Sequence, residues 1–181
     1  MKRVVVLDYD AAWVTAFEEL RSSLWRALSD IAISVEHVGS TAVPGLAAKP
    51  VIDIDVVVQA REQTEAIARL SSLGYEHRGD LGVPQREAFR PPKESPRHHL
   101  YLCLPTSPAL ANHIAIRDHL RANSADAMAY GDLKKRLAQQ FHHDMDGYIE
   151  GKTSFLVAIL RRLGFAEEAL GDIERMNRRA G

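Results

Sequence analysis

The sequence predicts an α+β protein whose front half mixes strands with helices and whose back half is all helical. Two observations carry this. Before Pro105, short runs rich in Val and Ile alternate with amphipathic stretches and with segments dense in Gly and Pro. After Pro105, apolar residues recur at helical spacing almost to the end. The expected layout is an α+β core over 1–105 and a helical region over 106–181 packed on the same domain.

In chain order, Trp13, Phe17, Leu20, Leu24 and Leu28 recur at steps of three and four, which predicts a helix over 10–29 with Asp10 as its cap. Residues 33–38 and 51–58 are rich in Val and Ile and read as strands. A helix over 62–73 stops at Gly74. From Gly74 to Pro96 the density of Gly, Pro and Arg predicts hairpins and loops, with short strands near 75–78 and 85–90. "HHLYLCL", 98–104, is a further strand. Ser107-Pro108 then announces a helix, because a capping hydroxyl is followed by a Pro whose missing N–H costs nothing in the first turn. Four helices follow at about 108–122, 125–143, 148–163 and 166–178.

Composition narrows the function classes. The chain has 181 residues, 46% hydrophobic and 26% charged, enough to bury a sizeable core. A formal net charge of -1 gives no basic excess of the kind a DNA-binding surface needs. A single cysteine, Cys103, precludes an internal disulfide, which fits a reducing cytoplasm. The N-terminal apolar run is too brief for a signal segment, and no stretch approaches a membrane span.

The chemistry concentrates in "VEHVGSTAVPGLAAKPVIDIDVVV", residues 35–58. Alternation along a strand puts Asp53 and Asp55 on one face, their Cα atoms roughly 6 to 7 Å apart, and turns Ile52, Ile54 and Val56 the other way into a core. Two neighbouring carboxylates near apolar surroundings need a cation, or one must keep its proton. Mg²⁺ (or Mn²⁺) answers this, since it takes one or two carboxylates together with substrate phosphates. In the preceding turn, Gly39 lets a ligand approach the backbone, and Ser40 and Thr41 offer hydroxyls and N–H groups to a phosphate. The pattern suits metal-assisted phosphoryl or nucleotidyl chemistry. It is not a P-loop: no Gly-Lys-Ser/Thr closes it, and Pro44 removes one N–H from any cradle.

"HVGSTAVPGLAAKPVIDIDVVV" resembles the signature of the GrpB family, a group within the nucleotidyltransferase-like superfamily. "DYDAAWVTAFEEL", "EAFRPPKESPRHHLYLCLP", "IAIRDHLRANSADAMAYGDLKKRLA" and "GYIEGKTSFLVAIL" extend the resemblance over nearly the whole chain. It implies a polymerase-β-like nucleotidyltransferase fold, a mixed β-sheet flanked by helices, here with a C-terminal helical bundle. A similar domain is appended to some dephospho-CoA kinases. The resemblance implies that Gly39 and Ser40 hold the β- and γ-phosphates of a nucleoside triphosphate, and that Asp53 and Asp55 hold metal. A third carboxylate is expected from a later strand, yet 98–104 has no acid. The family's His-Leu-His reads His99-Leu100-Tyr101 here, which leaves His99 as the group able to ligate metal or contact phosphate. Glu87 and Asp80 are the nearby acids that could substitute.

Arg86, Arg90, Lys93 and Arg97 form the dense basic cluster, either a solvated hairpin or an anion clamp in which Arg86 and Arg90 share a face. Lys49, just before Pro50, is either a solvated loop residue or a phosphate contact. His37 reads as a hydrogen-bonded core histidine. His77, His113, His119 and the segment "FHHDMD" read as solvated positions, and Cys103 as packed. Two functions stay open. One is a metal-dependent transferase using a nucleoside triphosphate and an unknown acceptor. The other is a non-catalytic nucleotide- or CoA-pathway-associated binding domain serving a partner enzyme.

Overall fold

The computed structural model describes residues 3–178. In chain order its elements are α1 (Ala12–Leu28), β1 (Ala32–Val38), β2 (Ile52–Val58), α2 (Gln63–Ser72), β3 (Glu76–His77), β4 (Arg86–Arg90), β5 (His98–Cys103), α3 (Pro108–Ala122), α4 (Ser124–Gln140), α5 (Met145–Arg162) and α6 (Glu167–Asn177). The sheet order is β1-β2-β5-β4-β3. β2 and β5 run parallel and the other pairs antiparallel, so the sheet is mixed, as expected.

The chain divides into two compact units. The first spans Ala11–Ala42 and Val51–Ile114 and contains the whole sheet. Period-two alternation separates its faces. On one face Ile52, Ile54, Val56, Val58, Leu100, Leu102 and Phe89 are buried. α1 and α2 cover this face: His37, the register partner of Ile54, stacks on Phe17 of α1 at 4.3 Å, and Gln63 of α2 donates to Glu87 of β4 at 3.0 Å. Arg69 ties the two helices together. Its guanidinium donates to the Ala27 carbonyl and makes two bonds to Asp30, at 2.6 and 3.1 Å. The other face carries Asp53, Asp55, His99, Tyr101, Cys103 and Arg86. Leu110 and Ile114, in the first turns of α3, pack on Val57, Cys103 and Tyr101 of that face.

β2 can hold two acids because its other residues are buried so well. Ile52, Ile54, Val56, Val57 and Val58 are each at most 5% exposed. At about 1.5–3 kcal/mol apiece, their burial outweighs the several kcal/mol that a buried carboxylate costs.

The second unit comprises described residues through Asp10, Val43–Pro50 and those from Ala115 onward. Val43, Leu46, Leu120, Ala127, Tyr130 and Ile159 form one apolar cluster, with Tyr130 stacked on Phe155 at 5.1 Å. Val157, Leu160 and Leu170 form another against α6. α4 and α5 approach closely at Gly151, where a Cβ would meet Leu137 at 2.6 Å.

Local signals placed most elements within a residue or two. Ser107 does cap α3: its hydroxyl accepts from Leu110 N–H at 3.4 Å, and its carbonyl accepts from Ala111 N–H at 3.1 Å. Three expectations change. The cap position of α1 is Ala11, one residue after Asp10. α4 ends at Gln140, three residues before the expected end. α5 begins at Met145, three residues before the expected start, because the Asp144 carboxylate caps it by accepting from Gly147 N–H at 3.0 Å. "FHHDMD" is therefore a helix-initiating segment.

Candidate active site

Strand register assembles the site. Asp53 lies opposite His99 on β5, and Asp55 opposite Tyr101. Asp55 is fully buried and Asp53 partly exposed. Each carboxylate is met by one imidazole: His99 Nδ1 lies 2.8 Å from Asp53 Oδ1, and His113 Nδ1 lies 2.7 Å from Asp55 Oδ2. The like-charge problem of the Asp pair is thus relieved by two rings, one from β5 and one from α3. Burial by itself pulls the His113 pKa down, but the hydrogen bond and charge of Asp55, helped by Asp53, outweigh it and leave the ring more basic than usual. Among the described residues Asp55 Oδ1 is buried without a hydrogen-bond partner. A buried polar oxygen left so is costly.

The turn after β1 is built onto Asp53. Gly39 has φ +69°, and a Cβ there would lie 2.2 Å from Asp53 Oδ2. Only glycine allows both the left-handed backbone and the carboxylate pressed against it. The turn is pinned from behind: His37 Nε2 lies 3.0 Å from Thr41 Oγ1, which also donates to the Val51 carbonyl at 3.4 Å. Thr41 is therefore buried, with its hydroxyl used inside the chain, and Ser40 is the partly exposed hydroxyl of the turn. His37 is the hydrogen-bonded core histidine that was expected.

Other singled-out residues fall elsewhere. Glu87 lies on the helix-covered face, held by His77 at 2.7 Å and by Gln63 at 3.0 Å, so it cannot join the Asp pair. Asp80 accepts from Gly82 N–H within its own turn at 2.9 Å. The acid that register sets beside Asp55 is Glu36, its partner on β1. Arg90 makes an exposed ion pair with Glu76 at 3.0 Å. Lys49 belongs to the second unit, where its ammonium group is 5.6 Å from the centre of the Tyr148 ring and 3.5 Å from Met145 Sδ. Cys103 is fully buried, and burial pushes its thiol pKa far up, so it is packed and unreactive. His113 and Glu36 were missed. His113 stands 58 positions from Asp55, and Glu36 is joined to it only by strand pairing, so no local spacing announces either.

The family model of the GrpB protein matches residues 3–162. This chain belongs to the GrpB family. It is 31% identical over 156 residues to the UPF0157 protein YqkA of Bacillus subtilis, covering 86% of this chain and 46% of that protein. It is 36% identical over 160 residues to a UPF0157 protein of Streptomyces coelicolor, covering 88% and 83%. The chain thus spans about half the length of the first relative and most of the second. Among solved structures, the crystal structure of GrpB from Enterococcus faecalis has 36% identity and a TM-score of 0.77, over 93% of this chain and 98% of that one. A structure of the GLD-2/RNP-8 complex gives a TM-score of 0.58 at 13% identity, over 88% and 62%. Cid1 with the UTP analog UMPNPP gives 0.53 at 15%, over 83% and 49%. The GrpB fold is that of the nucleotidyltransferases.

In this GrpB chain the carboxylate oxygens of Asp53 and Asp55 are the hard donors that Mg²⁺ prefers, and among the described residues Asp55 Oδ1 has no competing hydrogen-bond partner. Among the described residues no group of three or more His, Cys, Asp or Glu could enclose an ion. Two carboxylates are the number of protein ligands that Mg²⁺ commonly takes when water and phosphate oxygens fill its other positions.

Proposed function

We propose that this GrpB chain is a Mg²⁺- or Mn²⁺-dependent nucleotidyl or phosphoryl transferase that uses a nucleoside triphosphate. The observation that carries this reading is Asp55, a buried acid with one oxygen on His113 and the other on nothing, beside a partly exposed Asp53 packed under a glycine turn. Asp53 and Asp55 would hold the ion, which when bound would neutralise charge on the phosphate oxygens. Gly39 and Ser40 receive the triphosphate through backbone N–H groups and a hydroxyl. His99, half exposed and held by Asp53, carries a proton to or from the reacting group. Arg90 is free to exchange Glu76 for a phosphate, because an exposed ion pair is worth little. No part is assigned to Lys49. Cid1, whose fold is related, has been crystallised with MgATP and with UMPNPP, which supports a triphosphate as the donor.

One observation favours the second reading, a non-catalytic nucleotide-binding domain acting with a partner enzyme. The β5 positions facing the Asp pair hold His99 and Tyr101 and no acid. Labelled triphosphates incubated with Mg²⁺ or Mn²⁺ and pooled metabolites separate the two. Pyrophosphate or phosphate release that vanishes in Asp53→Asn/Asp55→Asn establishes the transferase. A nucleotide-dependent rise in Tm with no release under either metal establishes the binding domain.

A further inference from the structure

Among the described residues two buried side-chain atoms lack a hydrogen-bond partner, Asp55 Oδ1 and Arg86 Nε. Arg86 pairs in register with Cys103, which sets it on the face of the sheet that carries Asp55 and Tyr101. Its guanidinium carbon lies 4.4 Å from the centre of the Tyr101 ring. That ring is 6.2 Å from the ring of His113 and 6.5 Å from that of His99. The charge of Arg86 is felt by both Tyr101 and His113. Lying over the ring satisfies none of the guanidinium N–H groups. Its nearest structural contrast is Arg90, on the same strand and the same face, whose charge is spent on exposed Glu76. Arg86 has no ion pair or hydrogen bond among the described residues, yet part of it is out of water.

A partly desolvated planar fork of donors matches one kind of group, an oxyanion that accepts two N–H bonds in a plane. Among the described residues Asp55 Oδ1 and Arg86 Nε are not bonded to each other, and β5 stands between their strands, about 10 Å of strand spacing. An acid on a bound small molecule would supply the missing group. We propose that Arg86 is the docking point for a phosphate or carboxylate group of the acceptor, so that the acceptor is an anionic small molecule whose reacting end faces Asp53 and Asp55. The word acceptor rests on the transferase reading; the oxyanion site at Arg86 does not.

The test is the arginine Nε–H signal in ¹H–¹⁵N spectra of the full chain, with Arg86 assigned by its loss in Arg86→Lys. Inorganic phosphate and acetate are titrated separately. A saturable shift of the Arg86 signal with phosphate supports a phosphorylated acceptor, and one with acetate a carboxylated acceptor. The same anion should bind Arg86→Lys, followed by its His113 ring signals, at least about tenfold more weakly, because the planar fork is lost while the charge is kept. No saturable shift with either anion overturns the proposal, as does equal affinity in Arg86→Lys. Melting curves with Mg²⁺ and a non-hydrolysable triphosphate keep the two readings apart. An unchanged rise in Tm in Arg86→Lys places the defect on the acceptor side. Absence of that rise in the unmodified chain sinks the transferase reading while the anion titration still decides Arg86.

Discussion

Replacing Gly39 by Ala probes the construction of the site at its tightest point. At φ +69° an L side chain costs roughly 1–2 kcal/mol. The new methyl would also stand 2.2 Å from Asp53 Oδ2 and 2.9 Å from its Cγ, so the carboxylate must turn away and give up His99. His99 and Asp53 are 50% and 31% exposed, so losing that bond adds only about 0.5–1 kcal/mol. The sum is about 1.5–3 kcal/mol. At roughly 2–4 °C per kcal/mol for a chain of this size, Tm should fall by about 3–12 °C. Urea and thermal unfolding measure it. In an Asp53→Ala background the 2.2 and 2.9 Å clashes vanish and the 3.0 Å contact with Cβ remains, so the penalty should shrink towards the backbone term. Gly39→Ala as stable as the parent, or equally costly with and without the Asp53 carboxylate, would refute the claim that the turn is built onto Asp53.

Three further outcomes are expected. In Asp55→Asn the His113 pKa should drop below its ordinary value, because burial remains while the Asp55 charge is gone; histidine ring signals followed by NMR against pH report it, and an unmoved pKa removes the Asp55–His113 pairing. His98 is buried between Tyr75, 2.9 Å from its Nε2, and the Pro96 carbonyl, 2.6 Å from its Nδ1; burial lowers its pKa, the Pro96 bond opposing and the charge of His99 assisting. Its folded pKa thus lies below the unfolded value of about 6.5, so its contribution is complete above that pH and is lost as pH falls towards the folded pKa; the urea midpoint of the parent should fall more steeply between pH 7 and 5 than that of His98→Gln, and parallel curves would contradict this. Asp144→Ala should cost about 1 kcal/mol, the usual value of a lost helix cap, with a fall in Tm of roughly 2–4 °C and no change in binding of Mg²⁺ and nucleotide.

Much of the fold was legible because its signals are local. Five of the seven β2 residues are apolar, so the strand and the opposite sense of Asp53 and Asp55 follow from alternation alone. The five apolar positions of α1 that recur at steps of three and four, Trp13, Phe17, Leu20, Leu24 and Leu28, are all buried as the spacing requires. The start of α5 was misplaced because an Asp cap resembles any charged loop residue until its N–H partner is known. The two-residue β3 carries little pattern of its own and is defined by pairing with β4.

The sequence by itself determined β1, β2 and β5, the shared face of the Asp pair and the glycine turn, all of which rest on neighbours within a few residues, and the family, whose motifs run along nearly the whole chain. Tertiary structure alone decided who meets those acids. The parallel pairing of β2 with β5 brings His99 to Asp53 across 46 positions, and α3 lowers His113 onto Asp55 across 58. The same register turns Glu87 away, sets Glu36 beside Asp55 and strands Arg86 on Tyr101. Alternation fixes which residues of a strand share a face, but not which strand or helix covers that face. That depends on burial summed over the whole sheet, and it settles whether each charge ends beside a counter-charge, in water or alone.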